Sequence, residues 1–205
     1  MKFASKELQI VSESQDSIED LKTRRLVLRQ FRATDALRIH HLVNDKQVAY
    51  STHYIPYPYP EGAAEEWLAE HAELVRRGQA AVFAVCQQSA EGPEEVPELI
   101  GTVGLAIADV DHQAEIGYWF GREYWGNGFC TEAVVAVLDY GFEKLGLHRI
   151  FAQHISRNGA SARVLEKTGF SKEGVLRQHA RKWGVFEDVV CYGMLSKDPR
   201  PSCES

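Results

Sequence analysis

The sequence predicts an α+β protein in which helices flank one mixed β-sheet. Strand-like apolar runs alternate with helical patterns, but not strictly, which favours a mixed sheet over a parallel doubly wound one. The chain has 205 residues, a length that fits one domain. Its 44% hydrophobic and 25% charged residues are typical of a folded chain and exclude collagen-like and fully disordered classes.

The first half of the chain begins with a polar stretch and then shows regular elements. We expect residues 1–22 to form a flexible tail, residues 23–197 the single domain and residues 198–205 a C-terminal tail. A strand is predicted over 24–31, followed by a helix that Thr34 or Asp35 caps and that ends near Asn44. A proline- and tyrosine-rich loop follows over 50–60, then a helix over 61–77 that Gly78 ends. The loop is either a stiff surface connection or a substrate-facing wall.

The second half predicts most of the sheet. Strands are expected over 81–86, 99–108, 115–120 and 150–155, with an acidic, turn-rich excursion over 88–97. One strong helix follows Gly128, and a second covers 160–168 and ends at Gly169. Residues 175–176 and 189–195 complete the predicted strands.

Charge and cysteine usage narrow the function classes. The net charge is −6 and no basic stripe is present, which argues against a nucleic-acid partner. The four cysteines show no CxxC pair, so neither a metal site nor a disulfide framework is predicted, and a reducing compartment is favoured. No apolar run is long enough to cross a membrane, and acidic residues break up any signal-peptide core. We therefore expect a cytoplasmic protein without a membrane partner.

Residues 118–132, YWFGREYWGNGFCTE, predict a strand, a glycine turn and the start of a helix. Glycines at 121, 126 and 128 let the backbone turn sharply, and a helix N-terminus adds free N–H groups and a positive dipole end. This combination indicates an anion site for a phosphate or pyrophosphate, although a tight structural turn has the same pattern. No Lys follows Gly128 and Thr131 replaces a third glycine, which excludes the Walker and dinucleotide fingerprints.

Residues 157–170, RNGASARVLEKTGF, predict a second strand-to-helix connection, which Asn158 caps. Asn158 and Ser161 then follow a strand close to the first motif. A cleft between the two strand ends would have polar groups on both of its walls.

These two motifs together resemble the GNAT superfamily of acetyl-CoA-dependent N-acyltransferases, and more narrowly its Rim-type branch of ribosomal-protein N-terminal acetyltransferases. The resemblance covers roughly residues 23–197. It implies a mixed, twisted, mostly antiparallel sheet of six or seven strands with about four helices. Two central parallel strands would splay apart, and the pantetheine arm of the cofactor would pair with their exposed edges.

The resemblance also implies an activity. An acetyl group would pass from acetyl-CoA, the co-substrate, to a primary amine by direct attack in a ternary complex, without a metal. The acceptor would be a protein N-terminus; a small amine (an amino acid, polyamine or antibiotic) is the alternative, and a non-catalytic acyl-CoA-binding module is a further one. A homodimer is left open.

By the same resemblance, three groups of residues contact acetyl-CoA. The pantetheine arm would lie along Tyr118, Trp119 and Phe120, and Asn158 and Arg163 would lie near the arm or the adenosine. The pyrophosphate would be held by the backbone of seven consecutive residues: Trp125, Gly126, Asn127, Gly128, Phe129, Cys130 and Thr131.

Two residues are the candidate catalytic groups. Glu115 opens a predicted strand beside the cleft and would remove the amine proton through water; a solvated strand-end carboxylate is the alternative. Ser161 matches the proposed thiolate donor of Rim-type relatives, and Leu165 stands where many superfamily members have a tyrosine. A first-turn serine that bonds the backbone is the alternative for Ser161. The oxyanion would bind a backbone N–H near Gly117–Trp119. Cys130, at a helix N-terminus, is a weaker nucleophile candidate.

Overall fold

A computed structural model describes residues 18–88, 97–108 and 111–202 of the chain. Most of the predicted acidic excursion, most of the N-terminal tail and Cys203 lie outside these residues. In chain order the main elements are β1 (Leu21–Lys22), β2 (Leu26–Arg29), α1 (Ala36–Val43), α2 (Lys46–Ser51), α3 (Ala63–Arg76), β3 (Ala80–Gln87), β4 (Glu98–Ala108), β5 (Gln113–Phe120), α4 (Phe129–Asp139), β6 (Arg149–Ile155), α5 (Gly159–Lys167), β7 (Ser171–Lys182) and β8 (Val185–Leu195).

The eight strands of the described residues form one sheet in the order β1-β2-β3-β4-β5-β6-β8-β7. Every neighbouring pair is antiparallel except β5 and β6, which are parallel. The predicted mixed, mostly antiparallel sheet is therefore confirmed. The additional strand is β1, where Leu21 pairs with Leu28. Leu21 and Lys22 are thus part of the sheet and not of a tail.

The sheet is packed on both faces. Helices α4 and α5 cover one face, and the buried residues there include Phe83, Leu105, Leu138, Ile150 and Leu165. Helices α1 and α3 cover the other face at β3 and β4, with a smaller cluster around Ile39, Leu42, Ala64, Ala84 and Leu99. Among the described residues, no helix has the length and apolar character needed to cross a membrane.

The parallel pair separates after three residues. Gln113, Ala114 and Glu115 of β5 face Arg149, Ile150 and Phe151 of β6. Beyond Glu115, β5 continues to Phe120 and β6 to Ile155 with no further pairing between them. The predicted splay between two central strands is confirmed, and we call the opening the β5–β6 gap. Its apex is the Glu115–Phe151 pair, and its mouth lies between Phe120 and Ile155.

The last two strands are much longer than the apolar pattern predicts. They form a hairpin in which Lys182 pairs with Val185. Trp183 and Gly184 between them have φ values of 48° and 84°, as in the type I′ turns whose twist matches that of hairpin strands. The sequence pattern misses the outer part of this hairpin because residues 177–188 are mostly polar and exposed, which leaves no apolar period to read.

Two local predictions differ from the structure, and a further contact involves the predicted C-terminal tail. Asp35 directly precedes α1 but does not cap it, because its carboxylate accepts hydrogen bonds from the Arg29 guanidinium (2.8 and 2.9 Å) and from the backbone N–H of Arg32. Helix α2 extends through Ser51, into the segment predicted as a loop. Arg200, in the predicted C-terminal tail, hydrogen-bonds Asp139 of α4 at 2.9 Å.

Candidate active site

The glycine turn before α4 has the geometry of an anion cradle. Gly126 and Gly128 have φ values of 79° and 80°, in the left-handed region that glycine adopts without strain. A Cβ added at Gly126 would meet nothing within 4 Å, so the space beside this backbone is open. Within the described part of the chain, no side chain caps the N-terminus of α4. Its first N–H groups are therefore left for an anion.

Arg25, paired with Glu132, holds this glycine turn in place. Arg25 donates to the Glu132 carboxylate at 2.7 Å and to the backbone carbonyl of Asn127 at 2.9 Å. Its guanidinium also lies 4.6 Å from the centre of the Phe129 ring. Glu132 accepts a further hydrogen bond from the Thr23 hydroxyl. The segment before β2 thus fixes the turn, a role that local sequence patterns cannot show because the partners are about 100 residues apart.

The predicted cofactor residues divide into exposed and buried groups. Trp125, Gly126, Asn127 and Gly128 are exposed, and Cys130 and Thr131 are half-buried. Phe120 and Phe129 are buried in the core. For Phe129 this agrees with a role of its backbone alone, whereas the Phe120 side chain packs inward and leaves only its backbone available to the predicted pantetheine contact. The Phe120 carbonyl also accepts from the indole N–H of Trp125 at 2.8 Å.

Tyr118 and Ser161 meet beside the gap on the sheet face that α4 and α5 cover. The Tyr118 phenol oxygen lies 2.8 Å from Ser161 Oγ. Ser161 is 8% exposed, and its backbone N–H donates to Asn158 Oδ1 at 3.1 Å. Burial raises the pKa of Tyr118 above its ordinary value, so the phenol is protonated throughout the physiological range. The sequence predicts both residues at the site, but not their contact.

Glu115 lies at the apex, on the opposite face of β5 from Tyr118. Side chains alternate along a strand, so Glu115 shares its face with Trp119, which packs against the α1 and α3 cluster. Glu115 is exposed to solvent, yet the surrounding protein reduces its hydration and raises the pKa of its carboxyl. The structure therefore places Glu115 and Ser161 on different sides of β5, each beside the gap.

Cys130 does not have the properties of a nucleophile. Burial raises the pKa of its thiol, whereas a reactive cysteine needs a lowered pKa to be ionised near neutral pH. Asn158 keeps its predicted place as the residue that caps α5. Arg163 is exposed on the same helix.

Helix α2 lies across the mouth of the gap. At its start, Asp45 accepts from the N–H groups of Gln47 and Val48 and faces Arg122, which follows β5, at 4.0 Å. At its end, the Ser51 carbonyl accepts from Asn158, which follows β6, at 2.8 Å. One short helix therefore connects the separated ends of the two strands, and the sequence gives no sign of it.

Comparison with known proteins agrees with this geometry. The family model for the acetyltransferase (GNAT) domain matches residues 25–171. The chain is 34% identical over 182 residues to the uncharacterized N-acetyltransferase p20 of Bacillus licheniformis, covering 88% of this chain and 98% of that one. It is 28% identical over 194 residues to the [ribosomal protein uS5]-alanine N-acetyltransferase of Escherichia coli, covering 88% and 93%.

A solved structure with a similar fold contains the cofactor. This is the spermidine N-acetyltransferase from Vibrio cholerae in complex with CoA and spermine. Its TM-score to this chain is 0.71 at 26% identity, covering 84% of this chain and 96% of that one.

Proposed function

Because the chain belongs to the GNAT acetyltransferase family and is an acetyl-CoA-dependent N-acetyltransferase, we propose that its acceptor is the α-amine of a protein N-terminus. The observation that carries the chemistry is the β5–β6 gap, with a carboxylate at its apex and the Ser161 hydroxyl on its wall. One relative of nearly equal length is a [ribosomal protein uS5]-alanine N-acetyltransferase, and a ribosomal-protein acceptor supports this acceptor class.

The surface beside the mouth also favours a peptide. Exposed aromatic rings lie on α2, on the loop after it and at the tip of the β7–β8 hairpin: Tyr50 is 45% exposed, Tyr54 87% and Trp183 46%. Tyr50 and Trp183 lie with ring centres 5.9 Å apart. Aromatic side chains on an open wall suit an extended partner, since they offer a large contact area at low entropic cost.

A polyamine is the second candidate, because the Vibrio cholerae neighbour binds spermine and the net charge of this chain is −6. The charges near the mouth oppose it, however. Arg157 and Lys182 both lie there. Glu187 pairs with Arg157, so Lys182 is the charge that is left to repel a ligand with several positive charges. A peptide N-terminus brings one positive charge only, and loses it before it attacks.

The residues present fit acetyl-CoA as co-substrate. We propose that the N–H groups around Gly126 and Gly128 hold the pyrophosphate, because they combine an open glycine backbone with an uncapped helix N-terminus. The edge of β5 from Ile116 to Phe120 has no partner strand on its β6 side. The amides of the pantetheine arm would pair with it as a strand does.

In the proposed reaction, Glu115 and Ser161 act on opposite sides of the thioester. The neutral amine attacks the carbonyl carbon, and Glu115 accepts the amine proton through one water. A backbone N–H near Gly117–Trp119 stabilises the oxyanion. When the C–S bond breaks, Ser161 gives its proton to the departing thiolate and regains one from Tyr118 or from solvent. The free amine needs little help, because its pKa is about 8.

The test is the release of free thiol from acetyl-CoA across a panel of amines. The panel contains peptides with N-terminal alanine or serine, spermidine, free amino acids and an aminoglycoside, and each peptide is matched by its N-blocked form. We expect turnover of open peptides, none of blocked ones, and weaker turnover of spermidine. A preference for spermidine over every peptide would overturn the proposed acceptor, and the absence of any turnover would overturn the catalytic function.

A further inference from the structure

Four backbone carbonyl groups of residues 50–55, called here the 50–55 segment, accept hydrogen bonds from side chains near the other end of the chain. Arg157 donates to the carbonyl of Tyr50 at 2.9 Å, and Asn158 to that of Ser51 at 2.8 Å. Lys182 donates to the carbonyls of His53 and Ile55, at 3.1 and 2.6 Å. The segment comprises the last residues of α2 and the loop that follows.

These contacts hold the 50–55 segment in place, because the carbonyl groups named above lack donors within this described segment itself. The last carbonyls of a helix have no intrahelical partner, and loop carbonyls usually rely on water. Here Lys182, only 6% exposed, provides two of the bonds. The Arg157 guanidinium forms an ion pair with Glu187 and lies 4.1 Å from the centre of the Tyr50 ring. The wall beside the mouth is therefore held from β7, β8 and the β6–α5 turn.

Asn158 is the one donor among these that also bonds the turn carrying Ser161. Its Nδ2 donates to the Ser51 carbonyl, and its Oδ1 accepts from the backbone N–H of Ser161 at 3.1 Å. A carboxamide provides a donor and an acceptor on one rigid plane. Neither a carboxylate nor a hydroxyl can make both bonds with the same geometry.

We infer that Asn158 is a positioning residue that couples acceptor binding to the placement of Ser161. The 50–55 segment shapes the acceptor side of the mouth, and the first turn of α5 holds the hydroxyl that protonates the leaving thiolate. The Asn158 side chain holds the 50–55 segment and the first turn of α5 in a fixed position relative to each other. The inference rests on the proposed function, since it takes Ser161 as the donor and this wall as the acceptor wall.

Two substitutions separate the two bonds of Asn158. Asn158→Asp keeps an oxygen for the Ser161 N–H, and a carboxylate at a helix N-terminus is favourable, but it replaces the donor to Ser51 by a negative oxygen. Asn158→Ala removes both bonds. Lys182→Met is the matched control for the segment alone, because it releases the carbonyls of His53 and Ile55 and has no bond to α5.

The first readout needs no substrate. Hydrogen exchange is measured on wild type and variants, followed in peptides that cover residues 50–55 and 159–167. In Asn158→Asp we expect faster exchange in the 50–55 segment and unchanged exchange in α5. In Asn158→Ala both regions should exchange faster, and in Lys182→Met only the 50–55 segment. Unchanged exchange of residues 50–55 in Asn158→Asp would overturn the inference.

The second readout is kinetic, with a peptide bearing an N-terminal alanine and with spermidine as probes. For Asn158→Asp we expect the KM of the acceptor to rise about three- to tenfold, the range that the loss of one hydrogen bond gives. The kcat should stay within about twofold, because the bond to the Ser161 N–H is kept, and calorimetry with acetyl-CoA separates any change in cofactor binding from the change in acceptor KM. For Asn158→Ala, kcat should fall as well, because Ser161 is displaced.

The outcomes separate the two claims. An unchanged acceptor KM in Asn158→Asp, with normal wild-type turnover, would contradict the coupling and leave the proposed function in place. A wild-type protein that acetylates neither probe would overturn the proposed function, and the acceptor role of Asn158 with it, whatever the exchange data show.

Discussion

The phenol oxygen of Tyr118 and the hydroxyl oxygen of Ser161 lie 2.8 Å apart beside the β5–β6 gap, on the sheet face that α4 and α5 cover. Tyr118 comes from the strand that opens the gap, and Ser161 from the helix after the other strand. Since burial raises the pKa of Tyr118, the phenol can donate to Ser161 and leave the serine proton free to point at the leaving group. This contact leads to the first prediction.

Tyr118→Phe is expected to lower kcat about three- to tenfold, because it removes one hydrogen bond from Ser161. Acetyl-CoA affinity should be unchanged, as measured by calorimetry. Tyr140→Phe is the control, because Tyr140 is half-buried against Phe83 and lies away from the gap. In the double variant Tyr118→Phe/Ser161→Ala, kcat should equal that of Ser161→Ala alone. Additive losses would show that Tyr118 acts independently of Ser161.

Glu115→Gln tests the proposed base through the pH dependence of kcat/KM. The surrounding protein reduces the hydration of Glu115 and raises its pKa, so the rising limb that its ionisation produces should lie at higher pH than for an ordinary glutamate. In the variant the plateau should fall, and the remaining rise should follow the pKa of the amine. Two profiles that superimpose in height and shape would remove Glu115 from the mechanism.

The same raised pKa has a consequence for stability. Reduced hydration disfavours the ionised Glu115 carboxylate, so the stability that Glu115 contributes is present at low pH and is lost as pH rises through its folded-state pKa. Glu115→Gln should therefore unfold at a higher urea concentration than wild type at pH 8, with the difference vanishing near pH 4. This comparison requires no substrate.

Gly126→Val is predicted to weaken acetyl-CoA binding at least tenfold in calorimetry. A β-branched residue is strained at a φ of 79°, and its side chain would fill the space beside the open backbone. Gly146→Val is the matched control, since Gly146 has a φ of 65°, also has nothing within 4 Å of an added Cβ, and lies beyond α4. Equal affinity in the two folded variants would contradict the phosphate cradle.

The buried ion pair between Arg29 and Asp35 is a prediction about stability alone. Burial by itself would raise the pKa of Asp35, but hydrogen bonds from Arg29 and from the Arg32 N–H lower it. The stability that the Arg29–Asp35 pair contributes is therefore lost as pH falls through the lowered pKa of Asp35. Asp35→Asn leaves a buried guanidinium unpaired and should cost about 3–5 kcal/mol of unfolding free energy. Urea denaturation measures it, with exposed Glu73→Gln as a control of little effect.

The parts of the site that sequence alone predicts are those encoded locally. Gly126, Gly128, Asn158 and Ser161 each owe their position to a turn or to a helix start within a few residues, so the pattern is sufficient. The splay between β5 and β6 is implied by the resemblance to the family and not by the apolar periodicity, because periodicity does not report which strands pair.

The parts that sequence misses depend on distant partners. The Tyr118–Ser161 contact joins residues 43 positions apart, and the Arg25–Glu132 brace joins residues 107 apart. Neither follows from local propensity. The long β7–β8 hairpin is missed for a different reason. Most of its outer residues are exposed, apolar ones such as Val185 and Phe186 included, so strand pairing and the turn at Trp183–Gly184 specify it and burial does not.

The measurement that tests the account most directly is the position and rate of acetylation of one peptide. A peptide with N-terminal alanine and one internal lysine is incubated with acetyl-CoA and either wild type or Ser161→Ala, and the product is sequenced by mass spectrometry. We predict a single acetyl group on the α-amine, and a rate about 10²- to 10⁴-fold lower with Ser161→Ala. Acetylation of the lysine instead, or equal rates for the two proteins, would contradict the account.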